Sequence, residues 1–418
     1  MITIDPVARA LVPVDSAAAD ALGAPNYDEF QSDREVWELL QRRPHSVLRA
    51  TMPHCDVPSA DAIGEDGSDE SLAHGAEVMR ELVADPRTRE LRHLLWVYEI
   101  VRPGHEGRPQ IGLGGMARTD QIRTPENPAG TIIRNEGIRG AKARGRARLT
   151  EATRADMGTV NLAIDDASGA VQAALEEHAR VPPSFETRDE AGNQHRVWLV
   201  TDPVTIEQLR ALLAREPHAY VADGNHRSAA AAMLGYEHYL AVVFPAATMT
   251  IAPYNRLIED AEVSHERLLP ELEGAFEVET YTENGALQPE RTHEIGFYDG
   301  RAWRRLRPRP GTFDPADAAQ AIDANIVQRH LFAGVFGIPD ARDDRLTFVG
   351  ANRDARWLQQ QVDAGRFRYA VTLPPVTMQQ FIDVCLQNKL MPPKSTWFVP
   401  KVRSGLVMAL LDEGLPRP

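Results

Sequence analysis

The stretch Tyr220-Val221-Ala222-Asp223-Gly224-Asn225-His226-Arg227-Ser228, followed by four alanines from Ala229 to Ala232, is the densest local signal in the chain. Tyr220 to Ala222 read as the end of an apolar strand closed by an acidic residue. Gly224 and Asn225 both tolerate left-handed backbone, so a sharp turn is expected there. His226 and Arg227 then fall at the mouth of an alanine-rich helix, whose small side chains let it sit close to a sheet. A helix start offers backbone N–H groups and the positive end of a dipole, which suit an anion. Arg227 adds a planar fork for phosphate oxygens, His226 a donor that can be neutral or charged, and Ser228 a hydroxyl. Asp223 is placed to orient the histidine or to help hold a divalent cation. The same residues also fit a plainer reading, in which Asp223 or Asn225 caps the helix and His226 and Arg227 face solvent.

Outward from this turn, strands and helices intermix without a steady βα alternation. That predicts an α+β fold with mixed sheets and packed helices. Upstream, SDREVWELLQRRP reads as a helix capped by Ser32 or Asp33, and SLAHGAEVMRELVADP as an amphipathic helix. HLLWVYEIV and QIGLGGMAR read as paired strands with a turn at Gly104 and Gly107. The glycines Gly112, Gly114 and Gly115 sit inside that strand pattern, which points to close backbone contact rather than a dinucleotide loop. APNYDEF reads as a loop. Arg134 to Arg154 is strongly basic around Glu136 and Glu151, and its basic run from Arg139 to Arg154 is either a solvated helix face or a lid over phosphates. Downstream, EIGFYDGRAWRRLRP reads as a hairpin turning at Asp299-Gly300. Three consecutive regions are expected: an N-terminal α/β region over 1–120, a central region over 121–260 carrying the turn, and a C-terminal α+β region over 261–418.

With 418 residues, 43% hydrophobic and 25% charged, the chain can build a sizeable core, and two or three domains are expected. Acidic residues outnumber basic ones, 60 to 46, for a formal charge of −14, so a nucleic-acid partner is not expected. The two cysteines, Cys55 and Cys385, exclude a disulfide scaffold and are read as reduced thiols of a cytoplasmic protein. No stretch has the ~18 consecutive apolar residues of a membrane span. The Walker P-loop, H-E-x-x-H, G-x-S-x-G and C-x-x-C motifs are all absent. His54, His93, His195 and His330 show no metal-ligand spacing in the sequence.

ADGNHRSAAA resembles the A-D-G-H-H-R-Y-x-A-A signature of the family called domain of unknown function 1015. Further pieces agree in order. Ile133-Arg134-Asn135-Glu136 resembles an I-x-x-H-E segment, and Tyr254-Asn255-Arg256-Leu257-Ile258 a P-T-H-R-L-I segment. Met391-Pro392-Pro393-Lys394-Ser395-Thr396-Trp397-Phe398-Val399-Pro400-Lys401, followed by Ser404-Gly405-Leu406, resembles the family's ending. Asn135 and Asn225 stand where the family usually has histidine, and Ser228 where it has tyrosine. The D-G-N-H-R block is also similar to the phosphate-binding box of the ParB and sulfiredoxin superfamily, which includes nucleotide-hydrolysing DNA clamps, sulfiredoxin and free-serine kinases.

That resemblance implies a ParB/sulfiredoxin-like core and nucleotide phosphates, from ATP or ADP, on Gly224, Asn225, His226, Arg227 and Ser228. Arg256, Lys394, Ser395, Thr396 and Lys401 are further candidate anion ligands. Lys394 to Thr396 equally suit a rigid, proline-flanked crossover. Glu136 is the implied base for an acceptor hydroxyl, with Asp223 and His226 as catalytic partners and Asp223 as a ligand for Mg²⁺. The implied activity is a small-molecule kinase acting on a hydroxyl, with a free amino acid such as serine as the suggested acceptor. The rival is a nucleotide-binding switch without catalysis. A small-molecule substrate, no membrane partner and, as an open option, a homo-oligomer complete the expectations. A sulfiredoxin-like chemistry is disfavoured because neither cysteine adjoins the His-Arg pair.

Overall fold

The computed structural model describes residues 1–138, 140–259, 263–283 and 285–411. Arg139, the start of the basic run singled out above, lies outside them. The chain forms two compact units where the sequence suggested three consecutive regions. The first comprises Met1–Arg134, Ile138–Met249 and the segment from Pro400; the second comprises Asn135–Gly137 and Thr250–Val399. The expectation of an α+β fold with mixed sheets holds.

The first unit is built on one twelve-stranded sheet. The strand Ala219–Asp223 runs antiparallel to Val160–Ile164 and parallel to Ile132–Ile133. Val160–Ile164 in turn lies parallel to His238–Pro245, which pairs antiparallel with Gln110–Arg118. Leu95, Val97, Leu113, Leu162, Val221 and Val243 form the heart of a continuous apolar core on these strands. Thr88–Val101 and Gln110–Arg118 pair antiparallel, as expected, and Gly104 turns between them at φ +76°. The glycines on the second of these strands are a packing requirement. A β-carbon on Gly114 would stand 1.9 Å from the Trp96 ring, directly opposite, and one on Gly112 would stand 2.6 Å from Phe244. The strand can cross under those two rings only because its side chains stop at Cα.

The same sheet extends through Val7–Pro13 to Met408–Leu410 and Ala155–Asp156. Its last-made strand therefore lies between two made far earlier. The helix Asp33–Arg42 starts at Ser32, whose side chain accepts from Glu35 N, and packs Val36, Leu39 and Leu40 into a second apolar cluster. The basic run becomes the helix Gly140–Thr153.

In the second unit, six strands form a sheet ordered Phe276–Thr280, Trp303–Pro308, Ile295–Tyr298, Tyr369–Thr372, Asn255–Ile258 and Leu346–Val349, with every pairing antiparallel. The expected hairpin is there, with Gly300 at φ +81°. Cys55 and Cys385 are both buried. Among the described residues, no helix is long and apolar enough to cross a membrane.

Candidate functional site

The 219–228 turn is built as its composition suggests. Tyr220 and Val221 are buried in the sheet, and Gly224 takes φ +97° and ψ 25° before the helix Asn225–Met233. Its carbonyl accepts from Arg227 N and Ser228 N at 2.9 and 3.0 Å, which closes the first turn. A β-carbon on Gly224 would sit 3.1 Å from Arg227 Nε and 3.2 Å from Val160 Cα, so both backbone angle and space call for glycine. Ala229, Ala230 and Ala231 are buried, and the helix packs against Gly140–Thr153.

Arg227 is not at a rim. It is 8% exposed, and its guanidinium is spread over three partners. Nη1 donates to the Thr159 carbonyl and, at 3.2 Å, to Asn26 Oδ1; Nη2 meets Asp223 Oδ2 at 3.2 Å. Burial works against its charge, yet Asp223, Asp28, Tyr27 and Asp156 together hold it above its ordinary value. Lys401 Nζ reaches the same Asp223 oxygen at 3.3 Å. Ser228 is fully buried, its hydroxyl donating to the Asn225 carbonyl. Asn225 is buried too, whereas His226 is half-buried at the helix start.

Asn26 is the residue that joins the pieces, and sequence reasoning missed it. Besides receiving Arg227, its Oδ1 accepts from Ser404 Oγ at 2.9 Å, and its Nδ2 donates to the Val402 carbonyl at 2.8 Å. The segment read as a loop is a short 3-10 turn, Tyr27–Glu29, in which Glu29 reaches back to Asn26 N at 2.7 Å. Burial pushes the Glu29 carboxyl up to about 7, against the pull of Lys401 and with the help of Asp28 and Asp223. The Asn26-x-x-Glu29 spacing is a capping-box pattern, legible as an ordered turn but silent on what it faces.

Behind Arg227 lies a cavity of about 50 Å³, lined by Tyr27, Thr51, Arg146, Asp156 and Arg227 among others. Arg146 lies over the Tyr27 ring at 4.2 Å and Lys142 at 5.2 Å, so part of the basic helix serves as a wall. Burial pushes Asp156 up to about 6, against the Leu240 and Gly158 amides and the Arg227 charge. Thr51 Oγ1 and Arg227 Nε, both buried, have no hydrogen-bond partner among the described residues. The space suits a few water molecules.

The remaining sequence candidates belong to the second unit. Glu136 is half-buried and bridges to Met391, with Met391 N donating to the Asn135 carbonyl at 2.8 Å. Arg256 is 2% exposed; it donates to the carbonyls of Tyr254 and, at 3.2 Å, Lys394, and burial pulls it down to about 10 against Tyr254. Lys394 takes φ +59° and holds its ammonium 5.5 Å from the Tyr254 ring centre. Ser395 is buried with its hydroxyl on the Pro392 carbonyl, and Thr396 is half-buried.

In this α+β protein a turn feeds a helix from a mixed sheet, with a buried arginine, a carboxylate and a lysine at its mouth. The chain belongs to the family described as "Protein of unknown function (DUF1015)", matched over residues 4–331. Met391–Lys401 lies beyond the matched residues. No curated protein matches the sequence. A free serine kinase in complex with AMP is similar in structure at 12% identity, with 64% of this chain and 84% of that chain covered and a TM-score of 0.37. The free serine kinase in complex with ADP gives 10% identity, the same coverages and the same TM-score. SbnI from Staphylococcus aureus, with a C-terminal truncation, gives 12%, 69% and 84%, and a TM-score of 0.38. Likenesses of this size say nothing about chemistry.

Proposed function

We propose that the protein is a nucleotide-dependent phosphotransferase that moves a phosphoryl group between ATP or ADP and the hydroxyl of a small molecule. The observation that carries this reading is the charge set at the start of the Asn225–Met233 helix: Lys401 and Arg227 both on Asp223, within 3.3 Å, beside a glycine turn. Phosphoryl transfer asks a protein mainly for positioning and charge neutralisation. The start of the helix at Asn225 and His226, together with Lys401, would meet the phosphates. Arg227 would hold the turn from behind and add its field.

Both cations converge on Asp223 Oδ2, which leaves Oδ1 as the oxygen it would offer Mg²⁺. A single carboxylate suits that ion, which takes most of its ligands from phosphates and water. Bound there, Mg²⁺ would neutralise phosphate charge.

Two carboxylates compete for the acceptor hydroxyl. Glu136 is the base that the family resemblance implies. Glu29, raised to about 7 close to Lys401 and Asp223, has the proton affinity suited to a general base at neutral pH. Lys394 and Thr396, on a loop, are kept as candidate anion ligands, whereas the side chains of Arg256 and Ser395 are engaged by the carbonyls of Tyr254, Lys394 and Pro392. Serine is one acceptor to try among hydroxyl metabolites.

The test is a screen of hydroxyl metabolites with labelled ATP or ADP and Mg²⁺, followed by single-turnover transfer in Glu29→Gln and Glu136→Gln. The base should lose ~10²–10⁴-fold in rate with nucleotide binding kept. Tight binding without transfer to any metabolite would favour the switch reading.

A further inference from the structure

Away from this site, Asp33, His54 and Cys55 each offer one ligand atom, and those atoms all lie within 4.8 Å of one another. They come from two local structures. Asp33 opens the helix Asp33–Arg42, while His54 and Cys55 end the short turn Pro53–Cys55. The His54 side chain has no exposure to solvent, and neither ring nitrogen has a hydrogen-bond partner among the described residues. Carboxylates nevertheless flank both: Asp33 Oδ1 lies 3.4 Å from Nε2, and Asp66 Oδ1 lies 3.6 Å from Nδ1.

A buried imidazole with two unmet nitrogens needs an explanation. The Asp33 separation is long for a hydrogen bond, but it matches the edge of a coordination tetrahedron. Zinc bonds of about 2.0–2.2 Å to nitrogen and oxygen place neighbouring ligand atoms roughly 3.3–3.5 Å apart. Cys55, a buried thiol, brings its Sγ into the same cluster. A thiol that ligates a metal ion gives up its proton.

We propose that Asp33 Oδ1, His54 Nε2 and Cys55 Sγ form a zinc site, completed by water on the open Asp33 side, with Asp66 accepting the Nδ1–H of His54. Binding forms the Zn–S bond and releases the Cys55 proton to solvent. The mixed oxygen, nitrogen and sulfur donors suit zinc and exclude magnesium or calcium, which take oxygen. A carboxylate on the far nitrogen of a ligating histidine is the usual means of fixing its tautomer. The metal would tie the first turn of the Asp33–Arg42 helix to the 53–55 turn. It is independent of the phosphotransferase reading.

The test uses the full chain, stripped with a chelator and titrated with Zn²⁺ against a chromophoric competitor, and in parallel with Co²⁺. One zinc per chain is expected, together with the near-ultraviolet thiolate band and the intense visible bands of tetrahedral cobalt. Cys55→Ser should weaken binding at least about a hundredfold and abolish the thiolate band. Asp66→Asn should weaken it about 10–100-fold. Should Cys55→Ser fail to fold, Asp33→Asn, at an exposed position, should still lose at least about tenfold and shift the cobalt spectrum. No zinc held against the competitor, wild-type affinity in Asp33→Asn, or cobalt bound without a thiolate band would each overturn the site.

Discussion

Lys401 Nζ stands 3.3 Å from Asp223 Oδ2 although 178 residues separate them. Asp223 also receives Arg227, so removing the lysine leaves the carboxylate paired. Lys401→Met should therefore unfold at nearly the wild-type denaturant concentration. In the phosphotransferase reading, the lost charge-assisted contact should weaken nucleotide binding by ~1.5–3 kcal/mol, about ten- to a hundredfold. Calorimetry with ADP and with ATP decides, and unchanged affinity would place the phosphates elsewhere.

The burial of Arg227 changes what its removal should do. A rim arginine would be dispensable for folding. This one holds Asp223, Asn26 and the Thr159 carbonyl together. Arg227→Met should cost about 3–5 kcal/mol of stability, the range for breaking a buried ion pair. His226→Ala, at a half-buried position, should stay within about 1 kcal/mol while weakening nucleotide binding. Urea unfolding of the two proteins separates these outcomes; equal stabilities would contradict the network.

Glu29 gives a pH signature. Its folded value of about 7 lies above its ordinary 4.5. Between those values the unfolded chain is ionised while the folded one keeps its proton. Unfolding then releases a proton, and stability falls as pH rises through the window. Asp156, at about 6 against 3.8, acts in the same direction. Glu29→Gln should remove part of this slope and be the more stable protein above pH 7, by on the order of 1–3 kcal/mol. Ionised Glu29 also opposes phosphate beside Lys401, so nucleotide affinity should fall as pH rises through about 7 in the wild type and stay flat in the variant. Denaturation and calorimetry across pH 5–8 check both.

Three glycines should respond differently to one added methyl group. Gly114→Ala drives a β-carbon to 1.9 Å from the Trp96 ring and should cost several kcal/mol, or prevent folding. Gly224→Ala meets φ +97° and crowded neighbours, and should cost about 1–3 kcal/mol. Gly145, inside the helix Gly140–Thr153, has open space around its Cα; Gly145→Ala should stabilise by about 0.5–1 kcal/mol. Thermal unfolding should rank them in that order.

Local features were the legible part. The turn at Gly224, the hairpin at Gly300 and the strand role of Gly112 to Gly115 follow from backbone preference and period, which depend on neighbours in sequence. The inward aim of Arg227 was not legible, because it depends on Asn26 and Thr159, which no spacing rule ties to it. Glu29 stayed hidden for the same reason: its proton affinity comes from burial beside Lys401 and Asp223, not from its own segment. His54 shows no ligand spacing in the sequence, because the carboxylate beside it, Asp33, is brought in by the start of a separate helix. Lys401 was named from a motif, but its carboxylate partner emerged only from the sheet that carries Met408–Leu410 back into the first unit.

That returning strand sets a schedule for synthesis. A ribosome makes Val7–Pro13 and Ala155–Asp156 early, yet Met408–Leu410, which separates them in the sheet, emerges only after all of Thr250–Val399. Until then the nascent first unit carries an open seam of unpaired strand edges, along with an Asn26 that lacks its Val402 and Ser404 partners. Unpaired strand edges of this kind are open to pairing with other chains. The sheet of the first unit therefore cannot close before Thr250–Val399 has been made.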